Sequence, residues 1–284
     1  MQQPIVIRLL TDMEGIITAV REEKQLVDGV NLYTIQYKSG SFQVKALLAI
    51  HSNSESDALG EQTKSPAILY CRGGYKKVGQ VNPLRISQMA AFGYTVLAPH
   101  YRGNQGGTGK DEFGGDDMED VHVAYELLHE MSWVDDSRIH LYGFSRGGMM
   151  ALRAAMIPDR YASVVVWSGV SDMYLTYEER KDLRPLLVKL VGEPDQESEG
   201  YDIRSPINYT EDISCPVLII HGTEDENVGI EHAVRLANEL KNRDKTYELW
   251  LAEGATHLFD SPYMEQYTIK MFSWLDMQEF RMNS

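Results

Sequence analysis

The sequence of 284 residues holds only two cysteines, Cys71 and Cys215, far apart and in no C-x-x-C arrangement. That scarcity excludes a disulfide-stapled scaffold and a thiolate zinc site, and it suits a reducing, cytoplasmic setting. No stretch approaches the roughly 18 consecutive apolar residues that a membrane helix needs. The opening MQQPIVIRLLTDMEG lacks the basic flank, long apolar core and small-residue cleavage site of a secretory signal. Basic residues are also in short supply: 27 Lys and Arg stand against 42 Asp and Glu, for a formal net charge of -15. A surface of that sign repels phosphate backbones, so nucleic acid is not expected as a partner, and with no apolar stretch long enough to span a bilayer neither is a membrane. What is left, 43% hydrophobic and 24% charged residues, is the composition of a globular protein long enough to bury a sizeable core.

Two strand-like runs come first, GVNLYTIQY and SFQVKALLAI, separated by Lys38, Ser39 and Gly40, and together they predict an antiparallel hairpin. The polar stretch 51–65 follows as a loop. From PAILYC onward short apolar runs alternate with helix-length segments. GYTVLAPHY, RIHLYGF, YASVVVWSG, CPVLIIHG and TYELWLAEG are each rich in β-branched or aromatic residues and end at a turn signal. Asn82 and Pro83 predict a helix cap and first-turn proline, with Gly93 as the stop. Val121, Ala124, Leu128 and Met131 recur at helical spacing on one face. Such alternation predicts an α/β fold: a mostly parallel central sheet flanked by helices, with its site beyond the carboxyl ends of the strands. Residues 171–213 break the rhythm. Leu183, Leu186, Leu187, Leu190 and Val191 make an apolar helical face there, which predicts a small helical cap inside a single domain of residues 1–284, or else a helix that merely covers a sheet edge.

YGFSRGGMM places Ser145 between Gly143 and Gly147, between a strand-like run and a helix-like one. A serine on a sharp strand-to-helix turn needs small neighbours because the chain passes close to itself. The same pattern also serves as a plain tight turn, so the rest of the chain has to decide. A serine hydroxyl becomes a nucleophile only when a base takes its proton, and the base needs a carboxylate to hold its tautomer and offset its charge. IIHGTEDENV ends one strand and offers Asp225; LAEGATHLFD ends the last and offers His257. The chain order Ser145, Asp225, His257 is the order this topology requires. Asp172 is an alternative carboxylate one strand earlier. Glu224 and Glu226 read as solvated, His221 as a structural residue of its turn, and His122 and His129 as solvent-facing helix residues. An oxyanion needs two donors. The N–H of Arg146 supplies one, and the loop YCRGGYKKVG supplies the other, with the Gly74 N–H favoured and the Tyr75 phenol as a substitute.

YRGNQGGTGKDEFGGDD fails as a phosphate loop, because Asn104 and Asp111 stand where glycine and a hydroxyl residue are required. Asp116, Asp117, Glu119 and Asp120 open a helix, where acids meet the positive dipole end, so no metal is expected. No cofactor is implied.

RGGY after a strand, APHYRG before a glycine-rich run, GFSRGG, SPINY before ISCPVLIIHGTEDENV, and the terminal GATH together resemble the α/β-hydrolase superfamily, and within it the catalytic domain of the prolyl oligopeptidase family. The resemblance runs from about residue 65 onward. It implies an α/β-hydrolase fold, Ser145 as nucleophile with Asp225 and His257 as partners, Gly74 and Arg146 as oxyanion donors, and a small peptide or acyl ester as substrate. Tyr75, the Tyr101–Gly107 loop and residues 171–213 are expected to shape the acyl pocket. Two departures bear on specificity: the short N-terminal region does not hold the β-propeller of many relatives, and the loop reads R-G-G-Y where relatives often read H-G-G-P. A short-chain acyl esterase is therefore an alternative to a peptidase, and a catalytically silent binding protein is the alternative of another class. Oligomeric state is not legible; without a propeller, dimerisation is one way for such an enzyme to limit access.

Overall fold

In the hairpin predicted near the N-terminus, β2 (Val30–Ser39) and β3 (Phe42–His51) pair antiparallel without a break from Val30 opposite His51 to Ser39 opposite Phe42. Gly40 closes the turn at φ +57°, a conformation that costs glycine nothing. A computed structural model describes residues 5–13, 15–52 and 64–282. The polar stretch expected as a loop after the hairpin lies for the most part outside the described residues.

The chain divides into two compact units, residues 1–111 with 116–140, and residues 112–115 with 141–284. In the first, the strand order is β1-β2-β3-β5-β4, with β1 (Ile17–Glu22), β4 (Ser65–Cys71) and β5 (Thr95–Pro99), followed by the opening part of β6 (Val134–Phe144). β4 and β5 run parallel, whereas β1, β2, β3 and β5 pair antiparallel in turn. All five residues of β5 are buried, as befits a strand covered on both faces, while β2 alternates more loosely. Helix α1 (Ile5–Asp12) precedes the sheet and buries Val6 and Leu10. Neither α1 nor β1 is anticipated by the sequence, because each is short and β1 buries only Ile17 fully.

Helix α2 (Pro83–Ala90) has the predicted cap: Asn82 Oδ1 accepts from the backbone N–H groups of Leu84 and Arg85 at 3.0 and 3.3 Å, and Pro83 occupies the first turn. Helix α3 (Met118–Glu130) buries the predicted face of Val121, Ala124 and Leu128. Its acidic start differs from expectation. Asp120 does not merely face the helix dipole; it is fully buried, accepting from the Arg102 guanidinium at 2.8 and 3.0 Å and from the Arg102 N–H at 2.6 Å. His129 is exposed as expected, but His122 is half-buried.

In the second unit the end of β6 is followed by β7 (Ser163–Trp167), β8 (Val217–Gly222) and β9 (Tyr247–Ala252), with β7, β8 and β9 all parallel. β7 and β8 are buried throughout. Helices α4 (Arg146–Ala154), α8 (Glu231–Asn242) and α9 (Tyr263–Met282) belong to this unit. Residues 171–213 form not one apolar helix but four short pieces: α5 (Met173–Glu179), α6 (Arg184–Leu190), α7 (Ser198–Asp202) and a 3-10 turn over Pro206–Asp212. Of the predicted leucine face only Leu187 is fully buried. The segment is held by polar anchors instead. Ser205 Oγ accepts from the Met173 N–H at 2.8 Å, and the buried Arg204 donates to the carbonyls of Glu112, Phe113 and Gly200.

Candidate active site

Ser145 sits where β6 gives way to α4, at φ 56° and ψ -126°. A non-glycine residue in that region carries strain of about 1–3 kcal/mol and persists only where its surroundings hold it. Here they do: the Ser145 N–H donates to the Trp167 carbonyl at 3.2 Å, and the Ser145 carbonyl accepts from the N–H groups of Gly148 and Val170, each at 2.9 Å. The small residues are needed for the reason the sequence suggests. A Cβ on Gly143 would collide with the Gly147 carbonyl oxygen. Gly148, outside the motif, is equally constrained, since its Cβ would meet the Cα of Gly169 at 2.7 Å.

Asp225 follows β8 and is buried. Its Oδ1 accepts from the backbone N–H groups of Asn227 and Val228, both at 2.9 Å, and its Oδ2 accepts from His257 Nδ1 at 2.8 Å. Burial alone would raise its pKa, but the bond to His257, the charge there and the Val228 N–H outweigh it, and the carboxyl is held below its ordinary value. His257 follows β9, with 14% of its side chain exposed and its ring 4.9 Å from that of Phe144, the residue before Ser145. The structure thus brings Asp225 and His257 together and sets the imidazole against the strand that delivers Ser145. Among the described residues Ser145 makes no side-chain hydrogen bond to His257; such contacts often tighten only when substrate is bound.

Asp172, the alternative carboxylate, is engaged elsewhere. It caps α5, accepting from the N–H groups of Tyr174 and Leu175 at 2.9 and 3.3 Å. Glu224 and Glu226 are exposed. His221 is buried, donating from Nε2 to the Val228 carbonyl at 2.8 Å, and that nitrogen lies 3.5 Å from Asp225 Oδ2. It therefore braces the turn that holds the carboxylate.

The loop after β4 belongs to the first unit. Gly74 adopts φ +63°, and a Cβ there would collide with the Val78 carbonyl oxygen, so only glycine fits this curl. The loop is tethered by Arg72, which sequence reading passed over. Its buried guanidinium donates to the carbonyls of Gly73 at 2.9 Å and His100 at 3.0 Å, and pairs with Asp111 at 3.3 Å. Tyr101, expected to help wall the acyl pocket, is fully buried; its hydroxyl donates to the Arg72 carbonyl at 3.2 Å and its ring lies 5.1 Å from the guanidinium carbon. It offers no surface to a ligand in this conformation and stiffens the loop instead. Tyr75 is half-buried, with Lys76 Nζ 5.3 Å from its ring centroid. In the second unit Arg146 opens α4, its guanidinium buried 4.8 Å from the Phe113 ring.

A parallel sheet whose strand delivers a strained serine onto a helix, with an acid–histidine pair contributed by the next strand ends, defines an α/β-hydrolase. The sequence pattern of the prolyl oligopeptidase family, Peptidase_S9, matches residues 80–278. A Bacillus subtilis protein described as an uncharacterized peptidase, YtmA, is 42% identical over 248 residues, which cover 87% of this chain and 93% of that one. The chain belongs to the prolyl oligopeptidase family, and with it to the serine peptidases and hydrolases.

Two solved structures bear on the fold alone. A puromycin-hydrolyzing peptidase of Mycobacterium tuberculosis superposes with a TM-score of 0.74 at 22% identity, over 91% of this chain but 39% of that one. An acetyl xylan esterase from Paenibacillus sp. R4 superposes with a TM-score of 0.69 at 16% identity, over 94% of this chain and 92% of that one. Among the described residues no helix is long and apolar enough to cross a membrane.

Proposed function

We propose that the protein hydrolyses peptide or carboxylic ester bonds through an acyl-enzyme on Ser145. The observation that carries this reading is the 2.8 Å bond from His257 Nδ1 to a buried Asp225, with the imidazole packed on the residue preceding a serine at φ 56°. That bond fixes the proton on Nδ1 and leaves Nε2 as the base. His257 takes the Ser145 proton as Oγ attacks the substrate carbonyl carbon. As the tetrahedral adduct collapses, the imidazolium returns that proton to the leaving amine or alcohol. Water then enters and attacks the acyl carbon as His257 takes one of its protons; when that adduct collapses the Oγ–C bond breaks, the acid leaves, and the imidazolium returns its proton to Ser145 Oγ. The oxyanion is bound by the backbone N–H of Arg146; a preorganised donor of this kind contributes about 3 kcal/mol.

Peptides are favoured over esters as substrates because the similar YtmA is described as a peptidase. A reducing cytoplasmic location is supported by Cys71 and Cys215, both buried as thiols. Burial pushes the Cys215 thiol up to about 12, which keeps it protonated at neutral pH.

The test is hydrolysis of an aryl ester together with labelling by a fluorophosphonate. Ser145→Ala should lose the label and roughly three or more orders of magnitude in kcat/KM. Undiminished turnover by that variant refutes the assignment. Aminoacyl and dipeptidyl amides compared with aryl esters of graded chain length then separate a peptidase from an esterase.

A further inference from the structure

A cavity of 440 Å³ opens within the first unit, built from residues that the proposed catalysis does not use. Its floor follows from strand periodicity. Arg21 of β1 registers with Thr34 of β2, and Thr34 with Leu47 of β3; residues two positions away, Glu23 just past β1, Leu32 of β2 and Lys45 of β3, share the cavity with them. His100, just after β5, and Val81 and Pro83 at the start of α2 complete the lining that matters here. The size falls within the ~300–1,000 Å³ typical of small-molecule sites.

Its charge is opposite to that of the protein. Arg21, Lys24 and Lys45 face a single carboxylate, Glu23, in a chain whose net charge is -15. That carboxylate is already satisfied: it accepts from the Thr34 hydroxyl at 2.6 Å and from Arg21 Nε at 2.9 Å. Lys45 has no carboxylate partner among the described residues, and its Nζ lies beside Gly106, 3.4 Å from where a Cβ would stand. His100 is only 6% exposed, its backbone tied to Lys45 by a 2.8 Å N–H to carbonyl bond, yet its Nδ1 is buried with no hydrogen-bond partner among the described residues. Desolvation, with the charges of Arg72 and Lys45, lowers the pKa of this imidazole to about 4, so at neutral pH it offers one donor and one acceptor and no charge. What bears on a ligand is the small exposed part of the ring, which lines the cavity beside Lys45 and brings a neutral imidazole, able to donate one hydrogen bond, to its wall.

We propose that this cavity is a second ligand site for a small carboxylate with a branched apolar tail, its carboxylate held by Lys45 and His100 and its tail lying against Leu32, Leu47 and Val81. Two sources share that chemistry, a free acid and the C-terminus of a short peptide. The site is made by the first unit, whereas Ser145, Asp225 and His257 all belong to the second; the inference is independent of the proposed hydrolysis.

Isothermal titration calorimetry on the full chain tests it, with 4-methylpentanoate, its neutral amide and N-acetyl-leucine as probes. Saturable one-site binding of a carboxylate is expected, weakened at least tenfold for the amide and at least tenfold by Lys45→Met, and unaltered by Ser145→Ala. Lys45 is half-buried at the surface, so this variant should keep its melting temperature; should it not fold, Lys45→Gln and the acid-against-amide comparison carry the same test. Tighter binding of N-acetyl-leucine assigns the site to peptide C-termini, and tighter binding of 4-methylpentanoate to free acids. No saturable binding, equal binding of acid and amide, or full binding by a folded Lys45→Met protein overturns the proposal.

Discussion

Asp225 spends every contact it makes on one purpose. Oδ1 is tied to two backbone N–H groups of its own turn, which leaves Oδ2 aimed at His257. An asparagine in its place is close to neutral in shape, but the amide nitrogen cannot accept from Nδ1–H. Asp225→Asn should therefore lower kcat by about 10³-fold or more with KM little changed, because the imidazole is left in the wrong tautomer. A rise in KM with kcat unchanged would show instead that the carboxylate only shapes the pocket. The identities of Ser145, Asp225 and His257 as candidates were legible from spacing and strand ends. So was His221 as a structural residue of its turn, since its partners Val228 and Asp225 follow within seven positions; the role of Arg72 was not, because nothing local marks a side chain that reaches the His100 carbonyl across 28 positions of sequence.

Elements differ in how far local sequence accounts for them. The hairpin and α2 carry their own instructions in alternation, a turn glycine, and an Asn-Pro cap, and they form where the residues say. The region 171–213 does not, since its short helices are defined by anchors such as Arg204 bonded to carbonyls about 90 residues away. The start of α3 makes the same point. Asp120 looks like a dipole-facing acid, yet it is buried against Arg102, which also donates to Ser39 Oγ at 3.2 Å. Removing one partner of such a pair strands the other charge in a dry site. Asp120→Asn should thus cost about 3–5 kcal/mol, read as a lower urea midpoint with unchanged slope. A loss below about 1 kcal/mol would mean that water reaches the guanidinium.

At the scale of the whole molecule, acid is the sensitive direction. Desolvation lowers His100 to about 4 and His232 to about 3, both below the ordinary imidazole value of 6.5. The unfolded chain therefore takes these protons first, so stability is full above pH ~6.5 and falls by about 1.4 kcal/mol per histidine per pH unit until the folded values are reached. Asp225, held low, acts in the same sense at still lower pH, while Glu179, raised by burial, opposes it. Unfolding in urea at pH 7 and pH 5 should show a clearly lower midpoint at pH 5. An unchanged or higher midpoint would mean that neither imidazole is neutral and buried in the folded protein.

The sequence by itself determined what short-range chemistry can encode: apolar strands alternating with helices, the glycines that let the chain turn sharply at Ser145, and an acid and a histidine placed just past strand ends in a fixed order. Only tertiary structure decided which polar groups meet. It gave Asp225 rather than Asp172 to His257, turned Tyr101 and Arg72 into braces for the Gly74 loop, and gathered Lys45 and His100 at one cavity. The physical reason is that backbone preference acts over a few residues, whereas hydrogen bonds and charges in a dry interior are selected by what the folded chain happens to bring within about 3 Å.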